Sequence, residues 1–256
     1  MTGRDRISDS ESGAGSRIWV AGTISGRELR RDPVFVGLLV VLPAYFVGVW
    51  GLVLPADPIV IEVTGGDGTV LVETDFVALM TALVAPVTGA LVVGIAGLFL
   101  VQRSRPIDGR LQAAGYRGPE LLVARFGLLA AVTALVVAVT AAVALLQFTP
   151  EHLAWFVLAL VLTAAIYGAI GVLAGLFLGR MAGVYLLLFV PMIDVLLVQL
   201  PLGESHWWAP YLPGHHPAAL ALSASFADSV AVAHALWATL VLVALAVLAL
   251  VVSTRR

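Results

Sequence analysis

QRSRPIDGRLQAAGYRGPELLVAR, residues Gln102 to Arg125, is a short basic island between two long apolar runs, and its reading decides how the rest of the chain is arranged. It carries five arginines: Arg103, Arg105, Arg110, Arg117 and Arg125. It also has the outline of a small helix of its own. Pro106 stands at an opening, Asp108 lies in the first turn, where a carboxylate suits the positive helix end, and Gly115 and Gly118–Pro119 form a close. The island is the natural place for a membrane bundle to receive force from a partner.

The flanking runs set the class. Hydrophobic residues make up 61% of the chain and charged residues 12%, with a mean hydropathy of +1.03. A soluble domain is about half apolar and about a quarter charged. This composition is that of an integral membrane protein. A net charge of −2 leaves no basic excess to neutralise phosphates, which argues against nucleic acid as a partner. With no cysteine, thiolate metal sites, iron–sulfur clusters, disulfides and thiol nucleophiles are all excluded. All 14 basic residues are arginine. Without a lysine there is no P-loop and no Schiff base to retinal or pyridoxal phosphate, so any ATP must be bound by another chain.

Working outward from the island, residues 1–16 are rich in Ser, Gly and Asp and read as a disordered cytoplasmic tail without the apolar core of a signal peptide. Residues 17–256 form a single membrane domain. Its first segment sets Ile18, Trp19, Val20, Ile24 and Leu29 among Arg17, Arg27, Glu28, Arg30 and Arg31, as expected of a helix lying on the membrane surface. Six apolar runs follow: Val34 to Leu54, Ala78 to Val101, Leu122 to Phe148, Leu153 to Leu178, Gly183 to Leu202 and Val230 to Val252. Each has roughly the 20 residues that cross about 30 Å of hydrocarbon.

Cytoplasmic loops are enriched in Lys and Arg. With the N-terminus inside, the inner segments hold all 14 arginines and the outer segments hold none, carrying instead Asp57, Glu62, Asp67, Glu73, Asp75, Glu151, Glu204 and Asp228. Losing or adding one span would put several arginines outside. The expectation is therefore a multi-pass protein of the cell membrane with both termini cytoplasmic. On the outer side, IVIEV and TVLVE flank Gly65–Gly66–Asp67–Gly68, which predicts a β-hairpin packed on the span ends. Before the last span, GESHWWAPYLPGHHP leads into AALALSASFA, too short to cross and long enough to dip in as a re-entrant or interfacial helix.

Few residues suggest chemistry. Asp194 stands alone as a carboxylate within a span, with Gln199 just over a turn later. An acid there costs at least about 2.5 to 3.5 kcal/mol on insertion scales, so it either lines a translocation path or is hydrogen-bonded between helices near a kink at Pro191. His206, His215 and His216 lack an i, i+4 spacing, and adjacent residues diverge on any regular structure. They read as loop or interfacial packing, and no metal site is expected. Gly168, Gly171, Gly175 and Gly179 repeat as small residues do where helices pack closely in lipid. No serine elbow, zinc motif or carboxylate pair is present, so no enzymatic activity is expected.

RELRRDPVFVGLLVVLP, Arg27 to Pro43, resembles the approach to the first span in permease subunits of type-2 ATP-binding-cassette exporters. There, a surface helix ends in a basic Arg-Asp-Pro turn. The island is similar to that family as well, with a charged stretch after span two, a Gly turn, and E-L-L-x-x-R leading into span three. Asp108 stands where members often carry a glutamate.

The resemblance implies an all-α membrane fold of six transmembrane helices. An N-terminal interfacial helix, a cytoplasmic coupling helix and a re-entrant segment complete it, and the small outer hairpin read from the residues is added to that pattern. It also implies a pathway formed by two permease subunits and driven by separate ATPase subunits, which would hold ATP and Mg. The island residues Arg105, Asp108, Arg110, Tyr116, Arg117 and Glu120 would dock on the ATPase beside Arg27, Glu28, Arg30 and Arg31. An ATP-independent channel or carrier is the alternative, with a membrane-embedded enzyme behind it.

Overall fold

The computed structural model of the chain describes the backbone at residues 33–113, 118–202 and 207–254, and side chains at 37–103, 126–202 and 207–252. The first apolar run forms α1 (Pro33–Val53) and the Gly-Gly-Asp-Gly segment folds as a hairpin of β1 (Pro58–Gly65) and β2 (Gly68–Asp75). The remaining helices are α2 (Phe76–Ala113), α3 (Gly118–Ala144), α4 (Leu153–Phe177), α5 (Arg180–Pro191), α6 (His215–Phe226) and α7 (Val232–Thr254). A π-helical turn, Met192–Leu197, continues α5, and a single 3-10 turn covers Ala209–Tyr211.

Among the described residues, five helical stretches are long and apolar enough to cross a membrane: Phe76–Arg103, Phe126–Ala144, Leu153–Phe177, Arg180–Leu197 and Val232–Val252. The described side chains of α1 add the shorter apolar stretch Gly37–Val53. One expectation changes at the island. The helix does not restart at Pro106: α2 runs unbroken from Phe76 to Ala113, so the island's first half extends the span itself. Interior prolines are tolerated in membrane helices where neighbours and local adjustments re-satisfy the freed carbonyl.

α2 is the central post. It packs against α1, α3, α4, α5 and α6, and most extensively against α4. Leu79, Leu83, Val93 and Leu98 of α2 are fully buried, as are Phe156, Leu160, Ile166 and Tyr167 of α4. The two backbones touch because glycines face each other. A Cβ on Gly171 would collide with the Gly94 carbonyl oxygen, and one on Gly97 would lie 2.5 Å from that of Gly168. The glycine repeat of α4 thus works inside the bundle at Gly168, Gly171 and Gly175, whereas Gly179 has nothing within 4 Å of its Cβ position.

Polar groups in the core satisfy themselves locally. Thr88, Thr133, Thr140 and Thr163 each donate to the carbonyl four residues earlier, which removes the penalty of a bare hydroxyl. Gln147, just past α3, is a clasp: its Oε1 accepts from Thr81 Oγ1 at 2.6 Å and its Nε2 donates to the Val47 carbonyl at 2.7 Å.

The expected hairpin forms, with Gly65 paired to Gly68 across the two residues Gly66 and Asp67. Gly68, the first residue of β2 after the turn, has a positive φ of +130°, a conformation that glycine adopts without strain. Ile61 and Val63 on one face of β1 are buried, while the alternate residues Val60 and Glu62 point away. The tip is hooked to the loop between α6 and α7: Gly66 N–H donates to the Ser229 carbonyl at 3.1 Å, and Asp67 N–H to Ser229 Oγ at 3.2 Å.

Gly171→Ala should destabilise the protein by about 1–3 kcal/mol, the usual range for overpacking, while Gly179→Ala should be near neutral. Thermal unfolding in detergent measures both. Equal midpoints would refute the backbone contact.

Candidate functional site

Proline has no amide hydrogen, and its ring crowds the carbonyl four residues back, so a helix does not pass through Pro191 unchanged. Beyond it the helix widens: Val198 N–H donates to the Ile193 carbonyl, five residues earlier, at 3.0 Å. π turns of this kind are rare and concentrate at functional sites. Here the turn carries Asp194 inward, to 2% exposure. Because the helix ends at Leu197, Asp194 lies in its final turn rather than midway along a span reaching Leu202.

The carboxylate joins three elements. Tyr167 Oη, on α4, donates to Asp194 Oδ2, and the backbone N–H of Gly214, just before α6, donates to the same oxygen at 2.7 Å. Glycine is required there, since a Cβ on Gly214 would stand 2.6 Å from that oxygen. Asp194 Oδ1 and Gln199 Nε2 are the buried side-chain polar atoms without a hydrogen bond among the described residues. They are a complementary acceptor and donor, Asp194 within the π turn and Gln199 two residues past its end.

The polar chain continues from Gln199. Its Oε1 lies 2.7 Å from His215 Nδ1, the first residue of α6. His216 Nδ1 is 3.0 Å from His234 Nδ1 on the first turn of α7, and the His216 ring stacks on Trp237 at 5.9 Å and 17°. Ring centroids of the three histidines lie 5.0 to 5.8 Å apart. Burial, reinforced by the two neighbouring imidazoles, pushes His215 down to about 4. Burial also lowers His216. Both rings are therefore neutral near pH 7, with lone pairs available.

Of the residues that the sequence singled out, the structure links Asp194 to Tyr167 and Gly214, and Gln199 to His215. Tyr167 and His234 carry no signal in a linear reading, because 27 residues separate Tyr167 from Asp194 and 18 separate His216 from His234. His206 lies outside the described residues, as do Arg27, Glu28, Arg30, Arg31, Tyr116 and Arg117. The side chains of Arg105, Asp108, Arg110 and Glu120 lie outside them too. No protein-family model matches the chain, and no curated protein matches it.

What the arrangement offers chemically is a tie: one carboxylate receives two donors, from α4 and from the residue before α6. Removing the hydroxyl in Tyr167→Phe leaves a buried acceptor under-satisfied and should cost about 1–3 kcal/mol. A double-mutant cycle of Tyr167→Phe with Asp194→Asn should give a coupling of about 0.5–3 kcal/mol, read from unfolding midpoints. Strict additivity would exclude the bond.

Proposed function

We propose that this chain is the transmembrane subunit of an exporter driven by separate ATP-hydrolysing subunits, with two such subunits forming the pathway. The observation that carries the reading is the continuity of α2. The same helix that packs against α1, α3, α4, α5 and α6 extends through Arg103 to Ala113 into the arginine island. A force applied to the island enters the bundle along a rigid post and reaches α4 through the glycine contact. From α4 it passes to Tyr167, Asp194 and the start of α6. Population shift between two packings of these elements is how such a device would open a path.

The absence of lysine fits an ATP site on a partner chain. In this reading α1 completes a six-span bundle, both termini are cytoplasmic, the hairpin lies outside, and α6 is the re-entrant segment. At 12 residues α6 extends about 18 Å, too short to cross, yet Ala218 and Leu220 to Ser225 are buried. The buried position of Asp194 next to the distorted turn at Pro191 favours a second reading, a carrier working without ATP, whose sites are built at broken helices.

Co-purification separates the two: an ATPase with a P-loop should be retained by the native protein. Asp108→Ala combined with Arg110→Ala should leave membrane insertion intact and abolish both retention and ATP-dependent transport. Wild-type retention and transport in that double variant would overturn the coupling role, and transport in ATP-depleted vesicles would establish the carrier. A single cysteine introduced at Asp67 should react with an impermeant maleimide from outside the cell. Labelling from the cytoplasmic side alone would invert the topology.

A further inference from the structure

His215, His216 and His234 each offer a ring nitrogen, and these three atoms all lie within 4.8 Å of one another. We propose that they form a binding site for a late first-row divalent metal ion, with Zn2+ the natural occupant, at the junction of α6 and α7. The proposal is independent of the exporter reading.

Three features of the geometry carry it. First, the spacing is close to what an ion requires. Nitrogens about 2.0–2.1 Å from zinc at tetrahedral angles stand about 3.3 Å apart. His216 and His234 Nδ1 are already at 3.0 Å, and no pair in the group is wider than 4.8 Å, so about 1.5 Å of closure at most is needed.

Second, the rings are oriented from behind as metal-binding imidazoles are. Gln199 presents its amide oxygen to His215 Nδ1 at 2.7 Å, which keeps the proton on that nitrogen and leaves the Nε2 lone pair free. Trp237 stacks on His216 and fixes its plane.

Third, the donor set selects the ion. Three half-buried imidazoles, with no carboxylate in the group and no cysteine in the chain, suit zinc, copper or nickel and suit calcium or magnesium poorly. Three protein ligands leave a fourth position for water or an anion, as in open zinc sites.

A lone Nδ1–H···Nδ1 hydrogen bond would account for His216 and His234 but not for His215, whose ring joins them with its Nδ1 held by Gln199. An ion would also tie the first residues of α6 to the first turn of α7, closing with one bond set a junction that the hairpin clasps from the Ser229 side.

The test uses the full-length protein in detergent, purified without a polyhistidine tag and stripped with chelator. Titrated Co2+ should give visible d–d absorption saturating at about one ion per chain, and Zn2+ should abolish the bands by displacement. Zn2+ at about 100 times its dissociation constant should raise the unfolding midpoint by an amount equivalent to about 2.7 kcal/mol. His234→Ala should lose the bands. Gln199→Leu should retain them with affinity weaker by about 10- to 100-fold. Absence of both bands and thermal shift in the native chain overturns the proposal, whatever the variants do. Equally tight binding by a His234→Ala protein that elutes like the native one overturns it as well.

Discussion

The direct contact of two backbones, α2 against α4, is the constraint on which the rest depends. In a membrane, side chains gain nothing by leaving lipid for one another, so association rests on close approach and dispersion. Gly94 and Gly97 opposite Gly168 and Gly171 provide that approach. Once the two helices are this close, the positions of Phe156, Ile166 and Tyr167 inside the bundle follow from the helical repeat, and so does the place where Tyr167 Oη must find an acceptor. The distortion at Pro191 is what brings one within reach.

Asp194 is therefore better understood as a joint than as an isolated intramembrane charge. Its Oδ2 receives a side-chain hydrogen from α4 and a main-chain hydrogen from the residue before α6. A short helix that does not span would otherwise have little to fix its entry point. Satisfying a polar group in a low-dielectric interior makes the geometry specific as well as favourable, since a half-made network is worse than none.

Much of this was legible in the sequence, for reasons that differ between elements. The long apolar runs were readable because crossing hydrocarbon fixes a length, and the observed helices begin and end near Val34, Leu153 and Val252 as that length requires. The hairpin was readable from four consecutive residues, Gly65 to Gly68, because glycine and aspartate between two β-branched runs mark a turn. The island was read less well. Pro106 suggests a helix start, but proline is just as compatible with the interior of a helix whose neighbours absorb the missing bond, and nothing local distinguishes the two. Of the histidine group, His215 and His216 were visible and His234 was not. Spacing rules apply within one element, whereas His234 meets His216 only because a loop folds α7 back to the beginning of α6.

The hook between the hairpin and Ser229 sets an order of events during synthesis. Asp67 and Ser229 are 162 residues apart in the chain, so a ribosome adding about 5–20 residues per second needs roughly 8–30 seconds to deliver the second partner after the first. Throughout that interval the hairpin tip lacks its Ser229 partner, and β1 lacks the α6 helix it packs against. The hairpin thus emerges early and waits on the loop that leads into α7, so that a clasp between distant parts of the chain closes only late in synthesis.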